Sequence, residues 1–218
     1  MISIQKKFLF IHVPKTGGNS IQNILRDYSE DEIVTLAKHQ DGIERFEVRN
    51  REYNITKHSS LSHYKSILDS KTYHSLFKFA TIRNPWDMMI SYYFSPHRGI
   101  SEWNRDNFIE LVGRVPTLRE YIVERSFLEK ALARIGIKTN ITNRKLGEDI
   151  DFLIKFERLD EDFESVCKKI DVPYSRLPKR NSSTRSHYST YYDDELKEIV
   201  RKKFKEEIVI GNYTFENA

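Results

Sequence analysis

The stretch that most limits how this 218-residue chain can fold is Phe8 to Ser20, where an apolar run stops at Pro14 and crosses two adjacent glycines into a helical pattern. Phe8 to Val13 is continuous and apolar, and Ile21, Ile24 and Leu25 follow at helical spacing, which predicts strand, tight loop and helix. The pattern recurs from Leu76, where Phe77, Phe79, Ala80 and Ile82 make a strand that stops at Arg83-Asn84-Pro85. Asn84 suits an N-cap and Pro85 a first helical position, so a helix is expected through Trp86, Met89, Ile90 and Tyr93. A third strand is expected over Asp151 to Phe156, followed by a helix over Asp160 to Ile170. Strands alternating with helices predict an α/β fold with a central, mostly parallel sheet flanked by helices. Residues 1–218 are expected to form one domain.

The rest of the chain is less regular. Ser95 to Gly99 reads as a loop, and Phe108 to Arg134 carries helical periodicity divided by Pro116, so residues 95–150 read as a helical insertion. Pro173 to Ser189 is a basic loop with two prolines and five serines, and Asp193 to Phe204 an amphipathic terminal helix. Lys plus Arg number 36 against 32 Asp plus Glu, a net charge of +4. That suits a small anionic ligand better than a nucleic acid. Cys167 is the single cysteine, which excludes an intrachain disulfide and a cysteine-built metal site. No histidine pair with a nearby carboxylate has helical ligand spacing, so no metal is expected. The apolar run at Phe8 is too short for a membrane span or a secretory signal, so a soluble, cytoplasmic protein is expected. No heptad or other assembly signal fixes an oligomeric state.

The chemistry concentrates at the two strand ends. In Pro14-Lys15-Thr16-Gly17-Gly18-Asn19-Ser20 the glycines let the backbone approach a ligand, and the new helix offers unpaired N–H groups, together a phosphate cradle. Lys15 sets a positive charge at its mouth, and Thr16, Asn19 and Ser20 add donors. The plain alternative is a tight turn with a solvent-exposed lysine. The nucleotide-triphosphate loop places its lysine after the last glycine, whereas Lys15 precedes both, and no strand ends in a clear magnesium-binding aspartate. At the second strand end, Arg83 has the geometry for a bidentate anion pair and Ser91 a hydroxyl on the following helix. The alternative for Arg83 is an ordinary ion pair.

Phe10-Ile11-His12-Val13-Pro14-Lys15-Thr16-Gly17-Gly18-Asn19-Ser20 resembles the 5'-phosphosulfate loop of the sulfotransferases. Phe79-Ala80-Thr81-Ile82-Arg83-Asn84-Pro85-Trp86 with Ser91 resembles their 3'-phosphate motif. The form is that of the carbohydrate branch, including its uronosyl 2-O-sulfotransferase-like and bacterial members. Phe156-Glu157-Arg158-Leu159, Asn181 and the stretch from Tyr188 to Asp194 resemble the same branch. The resemblance implies a P-loop-NTPase-like core and the donor PAPS (3'-phosphoadenosine 5'-phosphosulfate), used by in-line displacement without a metal. It also implies roles. Lys15 would meet the oxygen between phosphate and sulfate, and the amides of Thr16 to Ser20 the 5'-phosphate. Arg83 and Ser91 would bind the 3'-phosphate, with Asn181, Ser182 and Arg185 closing over it.

Sulfuryl transfer to a hydroxyl needs a base, and histidine is the natural one near neutral pH. The place of His58 between the two motifs resembles that of the catalytic histidine in the 2-O-sulfotransferase-like branch, with His63 in reserve. Glu30 or Glu32 could take the role if the base is a carboxylate, as in some related enzymes. The acceptor expected is a carbohydrate or other hydroxylated molecule held by residues 95–150. There Trp103 and Tyr121 are candidates for stacking on a sugar, and Arg98, Arg105, Arg114, Arg119 and Arg125 for an acidic acceptor. Two other readings stay open: an ATP- or GTP-dependent phosphotransferase, which would need magnesium, and a nucleotide-binding module without turnover.

Overall fold

The structure, a computed structural model, describes residues 1–38, 44–124, 144–177 and 185–218, together with Glu129 and Leu132. The described strands are β1 (Ile2–Ser3), β2 (Phe8–Ile11), β3 (Glu32–Lys38), β4 (Glu44–Arg49), β5 (Phe77–Ile82) and β6 (Phe152–Lys155). The main sheet has the order β1-β2-β5-β6, with β1 antiparallel to β2 and the other neighbours parallel. β3 and β4 pair separately as an antiparallel ribbon. The α/β class and the mostly parallel sheet expected from the sequence are what the chain adopts.

The continuous apolar character of β2 and β5 follows from burial on both faces. Phe8, Phe10 and Phe79 pack on one side with Ile21, Leu25, Phe163 and Val166. Their neighbours Leu9, Ile11, Ala80 and Ile82 pack on the other with Leu61, Tyr64 and Ile122. The helices that supply these layers are α1 (Gly18–Leu25), α2 (Leu61–Ile67), α3 (Ser70–Ser75), α4 (Pro85–Tyr93), α5 (Arg105–Arg114), α6 (Leu118–Ile122), α7 (Leu159–Lys169), α8 (Asp194–Lys203) and α9 (Lys205–Gly211). Side-chain caps start many of them: Ser60, Asp69, Asn84, Asn104 and Asp193 each accept a first-turn backbone N–H. A third cluster joins α4, α5 and α8 through Trp86, Met89, Tyr93, Phe108, Val112, Leu196 and Val200.

Cα partners Ile11↔Ala80 and Ile82↔Lys155 align the carboxyl ends of β2, β5 and β6. Residues 12–18, 83–85 and 156–158 therefore meet at one edge, the usual ligand-binding edge of an open parallel sheet. β2 stops two residues short of the expected Val13: His12 and Val13 lie outside the sheet pairing and lead into the turn that begins at Pro14. The β3–β4 ribbon and α9 were not anticipated. No helix among the described residues is long and apolar enough to cross a membrane.

Candidate active site

The loop after β2 is wound tightly. Lys15 and Gly17 have φ of 65° and 86°, the left-handed region, which is strained for a lysine and open to a glycine. Thr16 pins the turn from inside: 1% exposed, it donates to the Val13 carbonyl at 2.6 Å and meets the Thr81 hydroxyl. That departs from the expectation of a hydroxyl offered to a ligand, since the Thr16 side chain is spent within the fold. Gly18 has a different reason to be glycine. A Cβ there would lie 2.2 Å from Cδ2 of His12, whose ring fills the space beneath the loop. Gly17 is the N-cap of α1, and no side chain caps that end. The first-turn amides at Gly18 and Asn19 thus face the loop mouth with the positive end of the helix dipole behind them. Asn19 is half-buried and Ser20 buried. Lys15 reaches across the mouth, its Nζ 3.5 Å from the hydroxyl of Ser95, just past α4.

Arg83 leaves β5 into a packed setting. Its Nε donates to Asp87 Oδ2 at 2.7 Å and one terminal nitrogen to the same oxygen. The other terminal nitrogen donates to the Lys15 carbonyl at 3.0 Å, tying the two motifs together. The Phe156 ring lies 3.9 Å below the guanidinium. Burial pulls the Arg83 pKa down, and the Asp87 carboxylate acts against that. Arg185 arrives from the far part of the chain and donates to the other oxygen of Asp87. Its Nε is buried and has no hydrogen-bond partner among the described residues. Burial alone would raise the Asp87 carboxyl, yet Arg83 and Arg185 hold it below its ordinary value. Ser91 lies half-buried on α4, eight residues beyond Arg83. Asn181 and Ser182 lie outside the described residues.

His58 stands against the same loop. Its Nδ1 is 3.0 Å from the His12 carbonyl oxygen and its ring centroid 4.6 Å from that of His12. His63 is held elsewhere, in the first turn of α2, its Nε2 bonded to the Asn54 carbonyl at 2.5 Å. Glu30 accepts the backbone N–H groups of Ile4 at 2.8 Å and Gln5 at 3.1 Å, so its carboxylate anchors the turn after β1. Glu32 is exposed at the start of β3.

The acceptor candidates scatter. Trp103 packs in the α4–α5–α8 cluster beside Tyr93, Phe94 and Tyr191, whereas Tyr121 packs against the cluster around Leu61 and Tyr64, so the two rings do not form one platform. Arg105 pairs with Asp193 and Glu195, Arg114 with Glu110, and Arg119 with Glu206. Three of the five arginines offered for an acidic acceptor are thereby paired, and Arg125 lies outside the described residues. Two residues were missed in the sequence: Asp87, whose signal was its i+4 spacing from Arg83, and Ser95, which had none. Among the described residues, no group of three or more His, Cys, Asp or Glu is placed to hold a metal ion.

Comparison with known proteins gives two matches. The family described as the sulfotransferase family matches residues 1–214. A crystal structure of mouse sulfotransferase SULT7A1 complexed with PAP aligns at 12% identity and a TM-score of 0.46, over 98% of this chain and 91% of that one. No curated protein matches the chain.

Proposed function

The chain belongs to the sulfotransferase family, and from that premise we propose that it moves the sulfuryl group of PAPS onto a hydroxyl of a carbohydrate or other hydroxylated acceptor. The observation that carries the reading is the link between the motifs: Arg83 donates to the Lys15 carbonyl at 3.0 Å, so both anion-binding strand ends are parts of one site. The residues present fit a donor with phosphates at both ends. At one end are an uncapped helix start and a lysine, and at the other a pair of arginines with one buried donor that has no partner among the described residues.

PAPS supplies a sulfuryl group on a phosphate–sulfate anhydride, whose cleavage leaves negative charge on the phosphate oxygen. Lys15 stabilises that charge, and the amides that open α1 hold the 5'-phosphate. Arg83, Arg185 and Ser91 bind the 3'-phosphate, the group that separates this donor from ATP; Asn181 and Ser182 are assigned there on resemblance alone. His58 takes the acceptor proton. Its Nδ1 donates to the His12 carbonyl, which leaves Nε2 as the basic atom. We read residues 1–218 as one domain in which residues 95–150 contribute the acceptor side, and the neutralised arginines there favour a neutral acceptor over a polyanion.

Calorimetric titration with PAP, AMP and magnesium-ATP tests this. PAP should bind without metal and AMP far more weakly, and Arg83→Ala should lower PAP affinity by about 10- to 100-fold, the range for a lost charged pair. Binding of ATP without binding of PAP would sink the reading in favour of phosphoryl transfer.

A further inference from the structure

Asp87 sits where a simple anion site would have no carboxylate. It opens α4, four residues past Arg83, and each of its oxygens is taken by a different arginine: Oδ2 by Arg83 and Oδ1 by Arg185. All three side chains are mostly buried, at 10% exposure for Arg83, 12% for Arg185 and 21% for Asp87. Two guanidinia and one carboxylate leave one net positive charge. Each guanidinium has five N–H donors in a fixed plane, so a partner that holds one edge also aims the remaining donors. Arg83 is fixed on three sides, by Asp87, by the Lys15 carbonyl and by the Phe156 ring. Arg185 is fixed by Asp87, and its buried Nε has no hydrogen-bond partner among the described residues.

We infer that Asp87 is a positioning residue of the donor site, which holds the guanidinia of Arg83 and Arg185 in register so that their unspent donors converge on a single phosphate. The inference rests on the donor reading above and gives that reading a specificity device. Charge and geometry predict opposite outcomes when Asp87 is changed. Charge alone says that removing a carboxylate beside an anion site tightens anion binding. Positioning says that two long side chains released from their common partner bind the anion less well, because they must be ordered when it arrives.

The test is PAP and AMP titration of the wild type, Asp87→Asn and Asp87→Glu, with thermal melting of each. The expected result is a PAP-over-AMP preference in the wild type, a loss of at least tenfold in PAP affinity in Asp87→Asn with AMP affinity unchanged, and partial recovery in Asp87→Glu. A role confined to α4 stability would lower the melting temperature and leave the PAP-to-AMP ratio intact, which overturns the proposal. So would PAP affinity in Asp87→Asn equal to or above the wild type. If Asp87→Asn fails to fold, Asp87→Ala takes its place, and wild-type PAP affinity in that variant overturns the proposal. A wild type with no preference for PAP removes the donor reading and the inference with it, whereas a preference kept by the wild type and by Asp87→Asn removes the inference only.

Discussion

The tautomer of His58 is fixed by one contact. Its Nδ1 lies 3.0 Å from the carbonyl oxygen of His12, and a carbonyl can only accept, so the ring proton sits on Nδ1 and the lone pair on Nε2. His58 is exposed as a residue, but packing of its ring against the His12 loop strips water from it and lowers its pKa most; the bond to the carbonyl raises it and Lys57 lowers it again, and the outcome is a pKa below the ordinary 6.5. A base with a lowered pKa is already deprotonated at neutral pH and loses that form only as pH falls through the lowered value. Nitrogen-15 NMR of labelled imidazoles is therefore expected to show the Nδ1-protonated tautomer at neutral pH and a titration midpoint below 6.5 for His58. Transfer should weaken on the acid side with the same midpoint. An Nε2-protonated ring, or a midpoint at or above 6.5, would remove His58 from the role.

Strand, loop and helix act together in the turn into α1, and Gly18 is the residue on which they depend. Gly18→Ala puts a Cβ 2.2 Å from the His12 ring, itself 3% exposed and packed against His58, so a rigid ring or the start of the helix must move. The expected cost is about 1–3 kcal/mol in urea denaturation, the range for overpacking, together with weaker PAP binding. Gly113→Ala is the contrast. It lies in α5 with nothing within 4 Å of the added carbon, and it should be neutral or stabilising by up to about 1 kcal/mol. Equal effects from the two changes would contradict the packing argument. The elements legible in the sequence were those with a strong local signal. α4 was expected from Pro85 through Tyr93 and runs over those residues, because Asn84 caps it and Pro85 opens it. The β3–β4 ribbon was also legible, in the uncharged run Ile33-Val34-Thr35-Leu36-Ala37 of β3 and the alternation Phe46-Glu47-Val48 of β4, and it was missed because neither strand leads into paired glycines of the kind that follow β2. α9 escaped because its buried residues are Glu207 and Gly211, which leave no hydrophobic periodicity to read. In the site, Lys15 and Arg83 were legible from their strand ends. Asp87 was not, since its sharing by two arginines depends on where Arg185 returns.

Across the whole molecule, distant segments are tied by a charged network on the side of the sheet that carries α2 and α6. Glu124, just past α6, meets Lys65 of α2, accepts from the Tyr73 hydroxyl of α3 at 2.7 Å and pairs with Arg144 at 3.3 Å. Its backbone N–H donates to Asp149 at 3.0 Å, and Arg144 also pairs with Asp149. Burial would raise the Glu124 pKa, but Lys65, Tyr73 and Arg144 together lower it below the ordinary 4.5. A folded-state pKa below the unfolded one adds stability that is present above the ordinary value and disappears as pH falls through the lowered one. Glu124→Gln keeps the shape and removes the charge. Lys65 and Arg144 remain 42% and 41% exposed, so water takes over part of their solvation. The expected loss at neutral pH is accordingly only about 1–2 kcal/mol. Urea denaturation should show that loss at neutral pH and little difference between variant and wild type once the pH is well below 4.5. PAP affinity should stay unchanged, because the network shares no residue with the donor site. An equal loss at both pH values would mean that packing of the side chain, and not its charge, is what Glu124 contributes.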